Sequence, residues 1–185
     1  MKKTTIMKVT KVVTKIVEVF HWVGAAILLC ATVCSLAAPS LVKYFVGLDV
    51  KPYGTELNIY GFEVTAPVIN GVTDMKTFFV FGIGGILILC LMAMIFRNMN
   101  LIIKKSEEST PFQPDNIRMI REIGIFAIAI PVVGLIMSII CRLVLGGEVE
   151  TSVNFYSVVV GIIMICLTQF FIHGAELEED VEGLV

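Results

Sequence analysis

Four stretches of the chain carry no charged residue: Val19 to Val42, Thr77 to Phe96, Ile123 to Cys141, and Thr151 to Ala175. A helix rising about 1.5 Å per residue needs about 20 apolar residues to cross a hydrocarbon core roughly 30 Å thick, and all four runs are near that length. Lipid offers no partner for backbone N–H and C=O groups, so each run must close its own hydrogen bonds as a helix. The pattern predicts an all-α polytopic membrane protein with four transmembrane helices in an up-down bundle. Composition agrees: 57% of residues are hydrophobic and 16% charged, against roughly 25% charged in soluble domains. The 185 residues leave no room for a second domain. The single domain reads as four spans, an exterior loop over 43–76, a cytoplasmic loop over 97–122 and an acidic cytoplasmic tail over 176–185.

Charge sets the orientation. Lys2, Lys3, Lys8, Lys11 and Lys15 precede the first span, and Arg97, Lys104, Lys105, Arg118 and Arg121 lie between the second and third. The other connections hold only Lys43, Lys51, Lys76 and Arg142. By the positive-inside rule both termini and the central loop face the cytoplasm. The basic start and Ser35-Leu36-Ala37-Ala38 mimic a cleavable signal peptide. The apolar run from Val19 to Ala38 is longer than the ~7–15 residues of a signal core, so it reads as a retained span.

The exterior segment from Pro39 to Asp74 is rich in turn formers: Pro39, Gly47, Pro52, Gly54, Gly61, Pro67 and Gly71. Within it, Glu56-Leu57-Asn58-Ile59 and Phe62-Glu63-Val64 alternate polar and apolar about Tyr60-Gly61, a short hairpin signal. A lone hairpin is marginal in water, so Leu57, Ile59, Phe62 or Val64 should rest on helix ends. It serves as a packed lid, as a ligand-sensing cap or as a partner epitope.

In the central loop, Asn98 to Lys105 extends the second helix, with Lys104 and Lys105 near its C-terminus where cations suit the dipole. Ser109-Thr110-Pro111-Phe112-Gln113-Pro114 breaks it. Pro114 suits the first turn of the next helix, with Asp115 against the positive dipole end. Arg118 and Arg121, three residues apart, share one face.

Thr110-Pro111-Phe112-Gln113-Pro114-Asp115-Asn116-Ile117-Arg118 with Ile123-Gly124, and the ending Phe171-Ile172-His173-Gly174-Ala175-Glu176-Leu177-Glu178-Glu179-Asp180, carry a family resemblance. The first resembles the loop motif, and the second the C-terminal motif, of the bacterial domain of unknown function 2975 family. The resemblance implies a small four-helix protein of the bacterial inner membrane, often encoded beside a Cro/CI-like helix-turn-helix regulator, with no established activity. The ending Val181-Glu182-Gly183-Leu184-Val185 and Glu178, where glutamine is common, depart from the pattern.

Several intramembrane features invite function. Ala26, Cys30, Cys34 and Ala38 repeat every four residues and predict a ridge of small side chains for close helix approach. Cys90 and Cys166 lie near mid-membrane, but no CxxC pair or histidine at that depth completes a metal site. Asn154, Ser157, Gly161, Ile165, Gln169 and His173 form a polar stripe on the fourth span. It is either a helix interface, with a Gln169 hydrogen bond of about 0.6–2 kcal/mol, or the wall of a cavity or pore. His21 and His173 sit at matching depth and would be the ligands of a haem or metal between helices. Trp22 beside His21 marks an ordinary interfacial belt. Pro131 should kink the third span.

The tail residues Glu176, Glu178, Glu179, Asp180 and Glu182 share a compartment with most of the basic residues. They either neutralise Arg118 and Arg121 or offer an acidic surface to a basic partner. The expectation is a non-enzymatic regulatory or sensory component without cofactor or metal. Its surroundings are the lipid bilayer, and its cytoplasmic face engages a protein such as a helix-turn-helix transcription regulator, with no direct contact to nucleic acid. Arg118, Arg121, Glu176, Glu178, Glu179 and Asp180 carry that contact. The alternatives are a transport or permeation unit assembled as a homo-oligomer around the polar stripe, and a membrane redox subunit on His21 and His173.

Overall fold

The computed structural model describes residues 2–38, 40, 55–69, 72–108, 110–145 and 149–182. Four long helices dominate: α1 (Lys2–Ala37), α2 (Met75–Glu108), α3 (Pro114–Leu145) and α4 (Tyr156–Glu182). Each is long and apolar enough to cross a membrane. The architecture is an all-α four-helix bundle of a multi-pass membrane protein, with a small sheet.

The hairpin forms about Tyr60-Gly61. β1 (Thr55–Ile59) pairs antiparallel with β2 (Phe62–Ala66), Ile59 opposite Phe62. Tyr60 and Gly61 both have positive φ, 49° and 84°, the twist a two-residue hairpin turn needs. Gly61 has a second reason to lack a side chain, since a Cβ there would lie 2.5 Å from Asn154 Cβ. Two short strands, β3 (Val68–Ile69) and β4 (Val72–Thr73), form a further hairpin. Pro39, Gly47, Pro52, Gly54 and Gly71 lie outside the described residues, as do Leu41 and Val42 of the expected first span, Ser109, and Gly183 to Val185.

The fourth charge-free run is not helical throughout. Its first residues belong to β5 (Glu150–Val153), which pairs with β2 to give a three-stranded sheet in the order β1-β2-β5, and α4 begins only at Tyr156. Thr151 to Asn154 are uncharged but polar or β-branched. They satisfy their backbone on a neighbouring strand, a distant partner that a count of charges does not reveal.

The helix ends were more legible. Asp74 caps α2: its carboxylate accepts from the Thr77 N–H at 3.0 Å and from the buried Thr77 hydroxyl at 2.7 Å, satisfying donors that a first turn leaves open. α2 runs through Asn98–Lys105 to Glu108, as expected, and α3 starts at Pro114. The helix continues through Pro131, which is fully buried.

On α1 the buried face is Thr14, Glu18, His21, Ala25, Thr32 and Ser35, with half-buried Leu28 completing steps of four and three. The large aliphatics Val12, Ile16, Val23, Ile27 and Val33 point outward. This corrects the expected ridge, because Ala26 and Cys30 are exposed. Lipid is as apolar as a protein core, so the polar and small residues decide which face packs. Their hydroxyls are satisfied within the helix: Thr32 donates to the Leu28 carbonyl at 2.7 Å and Ser35 to that of Thr32 at 2.6 Å.

The chain divides into two compact units. The first comprises Met1–His21, Leu91–Ala129 and Tyr156–Val185; the second comprises Trp22–Cys90 and Ile130–Phe155. In the second, the apolar face of the sheet lies on glycine-bearing helix surfaces. Phe62 and Val64 are each 1% exposed, and Phe62 stacks on Phe81 with centroids 5.5 Å apart. Side chains added at Gly84 and Gly85 would collide with Phe62 and Ile59. In the first unit, α3 and α4 meet at Gly124 and Gly161, where a Cβ on either would stand within 3 Å of the other's carbonyl oxygen.

Candidate functional site

The turn between α2 and α3, in the first unit, is built by side chains that replace missing helix partners. The Phe112 N–H donates to Thr110 Oγ1 at 3.1 Å, and the Ile117 N–H donates to the Gln113 carbonyl at 3.1 Å, closing the first turn of α3 behind Pro114. Asn116 is fully buried. Its amide donates to Ser106 Oγ at 3.3 Å and to the Pro111 carbonyl at 3.2 Å, so one side chain ties the end of α2 to the turn. Lys105 donates to Asp115 across the same turn. That hydrogen bond first, and the Lys105 charge second, hold the Asp115 carboxyl below its ordinary range, with Arg118 adding to the effect.

The turn also holds α4. Phe112 packs against Phe171, centroids 5.6 Å apart, and over Gly174, where a Cβ would lie 2.6 Å from the Phe112 ring. Thr110 Oγ1 donates to Glu178 Oε2 at 2.9 Å. The acidic tail is therefore helical as far as Glu182, and Glu178 is turned toward the loop.

Around this framework the predicted partner-binding residues separate by role. Arg118 and Arg121 are exposed on α3, but Arg118 Nε pairs with Glu122 Oε1 at 3.4 Å. Among the described residues neither arginine pairs with the tail, so of the two readings of the tail the neutralising one has no ion pair behind it. Glu176, Glu179 and Asp180 are exposed at spacings of three and four on α4, one face of that helix. The result is a surface of exposed charges of both signs on a fixed scaffold.

The structure brings in residues that the charge-free runs hid. Glu18 is buried and accepts from Lys15 at 3.0 Å. Buried Asn98 donates to Glu122 Oε2 at 2.9 Å; Asn100 donates to the Lys11 carbonyl at 2.8 Å, and Lys11 pairs with Glu107 at 2.6 Å. The spacing of Thr14, Glu18 and His21, which share one helix face, was the available signal.

The polar stripe spans packed and outward faces, and the two histidines differ in exposure. Asn154 precedes α4, and its N–H donates to the Gly61 carbonyl at 2.8 Å. Gly161 is buried and Ser157 half-buried, whereas Gln169 and His173 are exposed. Steps of four residues overshoot a 3.6-residue turn by about 40° each, so a strict i+4 stripe winds off the packed face. Thr168 stays on it, 2% exposed.

His21 is buried, stacks on Phe96 at 5.3 Å, and donates from Nδ1 to the Val17 carbonyl at 2.7 Å. His173 faces outward with Glu176 at 3.2 Å. The two rings make no hydrogen bond or ring contact with each other. Among the described residues no three His, Cys, Asp or Glu side chains gather to hold a metal ion. The chain matches no family model, no curated protein and no solved structure.

Proposed function

We propose that this is a membrane-tethered regulatory or sensory component whose first unit faces the cytoplasm and holds a basic protein partner, such as a co-encoded helix-turn-helix regulator, at the exposed face of the α4 tail. The observation that carries the reading is the separation of roles along the tail. Glu178 is engaged with Thr110 and anchors the helix, while Glu176, Glu179 and Asp180 are left exposed. Ordering a binding helix before the partner arrives reduces the entropy lost on binding. Arg118 and Arg121 would read acidic groups on the same partner, since mixed charge gives register and selectivity more than raw affinity.

The excess of lysine and arginine at both cytoplasmic connections supports the orientation, and the likeness of loop and tail to the domain of unknown function 2975 family supports the kind of partner. The test is purification from native membranes in mild detergent with mass spectrometry of co-eluting proteins. A DNA-binding protein should co-elute with the natural chain and be lost from Glu179→Lys, Asp180→Lys. Retention by the charge-reversed chain, or no co-encoded protein in the eluate, sinks the proposal.

A second reading, a permeation unit formed by several copies, draws on one observation. Gln169 is exposed on α4 beside Phe170, which is 72% exposed, and a polar side chain in lipid favours contact with protein. Gln169→Ala with unchanged flux in liposomes would remove it.

A further inference from the structure

The second unit holds a polar pocket of about 420 Å³ at the β2–β5 edge of the sheet, lined by Glu63, Thr65, Arg142, Glu150, Thr151 and Ser152. Its construction follows from strand register. Glu63 pairs with Ser152 and Thr65 with Glu150, so strand alternation puts these four side chains on one face, opposite buried Phe62 and Val64. Thr151 pairs with Val64 and so projects from the other face, and Arg142, from α3, lines the pocket on that side.

Two of the three charged groups are held in place. Glu63 accepts from Ser152 Oγ at 2.7 Å through one oxygen and from the Asn58 amide through the other. Arg142 Nε donates to Thr151 Oγ1 at 3.2 Å, and Thr151 is itself hydrogen-bonded to buried Ser138. That bond orients the guanidinium and leaves its two terminal NH₂ groups without a described partner. The Glu150 carboxylate has no ion pair or hydrogen bond among the described residues. A guanidinium and a carboxylate thus line one pocket without pairing with each other.

We infer that this pocket binds a small zwitterion of the amino-acid class, its carboxylate on Arg142 and its ammonium on Glu150. A planar guanidinium fixed through Nε presents two parallel donors to a carboxylate. Glu150 supplies the opposite charge, and Thr65 and Ser152 supply hydroxyls. The charge arrangement selects against simpler ligands. A bare cation meets Arg142, and a bare anion meets Glu63 and Glu150, so each leaves one pocket charge opposed. A divalent ion lacks a three-ligand donor set among the described residues. The lining is polar, unlike the mostly apolar walls that take drug-sized hydrophobic ligands.

The inference does not depend on a partner for the tail. Its test uses the full chain alone in phosphatidylcholine nanodiscs, titrated calorimetrically with each common L-amino acid up to about 10 mM, past the millimolar range of weak specific binding. The matching decarboxylated amine and deaminated acid are the controls. At least one amino acid should bind saturably, and both controls should fail. Arg142→Gln and Glu150→Gln should each weaken binding about tenfold or more, the scale of one charge-assisted hydrogen bond, and Arg142→Lys should fall between.

Glu150 is exposed on an edge strand, so Glu150→Gln keeps the test open if Arg142→Gln does not fold. The inference is overturned if no amino acid binds, if the amine alone binds as well, or if binding survives Glu150→Gln.

Discussion

In the unit that carries the α2–α3 turn, side-chain hydrogen bonds join distant segments, Lys11 to Glu107, Asn100 to the Lys11 carbonyl, Asn98 to Glu122 and Thr110 to Glu178, beside one backbone approach at Gly124 and Gly161. In the unit that carries the sheet, contact is made by large apolar groups seated on glycines, Phe62 at Gly84 and Ile59 at Gly85. The difference teaches how specificity arises when the solvent on one side is lipid. Apolar side chains gain little by choosing protein over lipid, so position is set either by polar pairs or by shapes that only glycine permits.

The largest test of that comparison is steric. A Cβ on Gly161 would lie 2.7 Å from the Gly124 carbonyl oxygen and 2.5 Å from Ile128, and a backbone atom has no rotamer by which to retreat. Gly161→Ala should cost about 2–3 kcal/mol, the upper range for overpacking, and lower the thermal midpoint in detergent. At Gly134 the nearest atom is a Val153 methyl at 3.2 Å, so Gly134→Ala should cost below about 1 kcal/mol. Equal losses at the two sites would remove the distinction between backbone and side-chain contacts.

Next in size is Asn116→Ala in the polar unit. It removes both donors that bind Ser106 and the Pro111 carbonyl in a fully buried place, a loss of about 1–3 kcal/mol. Amide exchange should quicken at Thr110 to Ile117 while β1 and β2 stay protected. Asp74→Ala is the counterpart in the other unit. Losing the cap of α2 and the partner of the Thr77 hydroxyl should cost about 1 kcal/mol, read from the same thermal melts.

What the sequence disclosed follows the same division. Local chemistry was legible: Tyr60-Gly61 between alternating strands, Pro114 and Asp115 opening α3, and the charge-free lengths that became helices. Pairings between distant segments were not. β5 exists because Val64 and Thr151 meet across the sheet, and nothing within Glu150–Val153 names that partner. The inward face of α1 is not legible from its small residues, because alanines and cysteines at i+4 suggest a stripe whereas helix rotation keeps steps of four and three together. Glu18 bounded a run on paper and lies buried in the fold. The pocket residues combine β2, β5 and α3, and only tertiary structure assembles them.

The smallest effect concerns pH, and it concerns the polar unit through Asp115. Lys105 holds the Asp115 carboxyl below its ordinary value of 3.8 by hydrogen bond and charge. A carboxyl whose folded value is depressed contributes stability that is present above the unfolded value and is lost as pH falls through the folded one. The contribution is therefore complete at neutral pH and disappears only in acid. The pair is solvent-exposed, so screening keeps its effect on global stability small, and the informative readout is the titration itself. In carbon-detected NMR of the labelled chain in detergent, the Asp115 midpoint should rise in Lys105→Gln and rise less in Arg118→Gln, which removes only the weaker, purely electrostatic influence. An unmoved midpoint in Lys105→Gln would mean that the pair does not form in solution, and the turn would then be held by Asn116, Thr110 and Phe112.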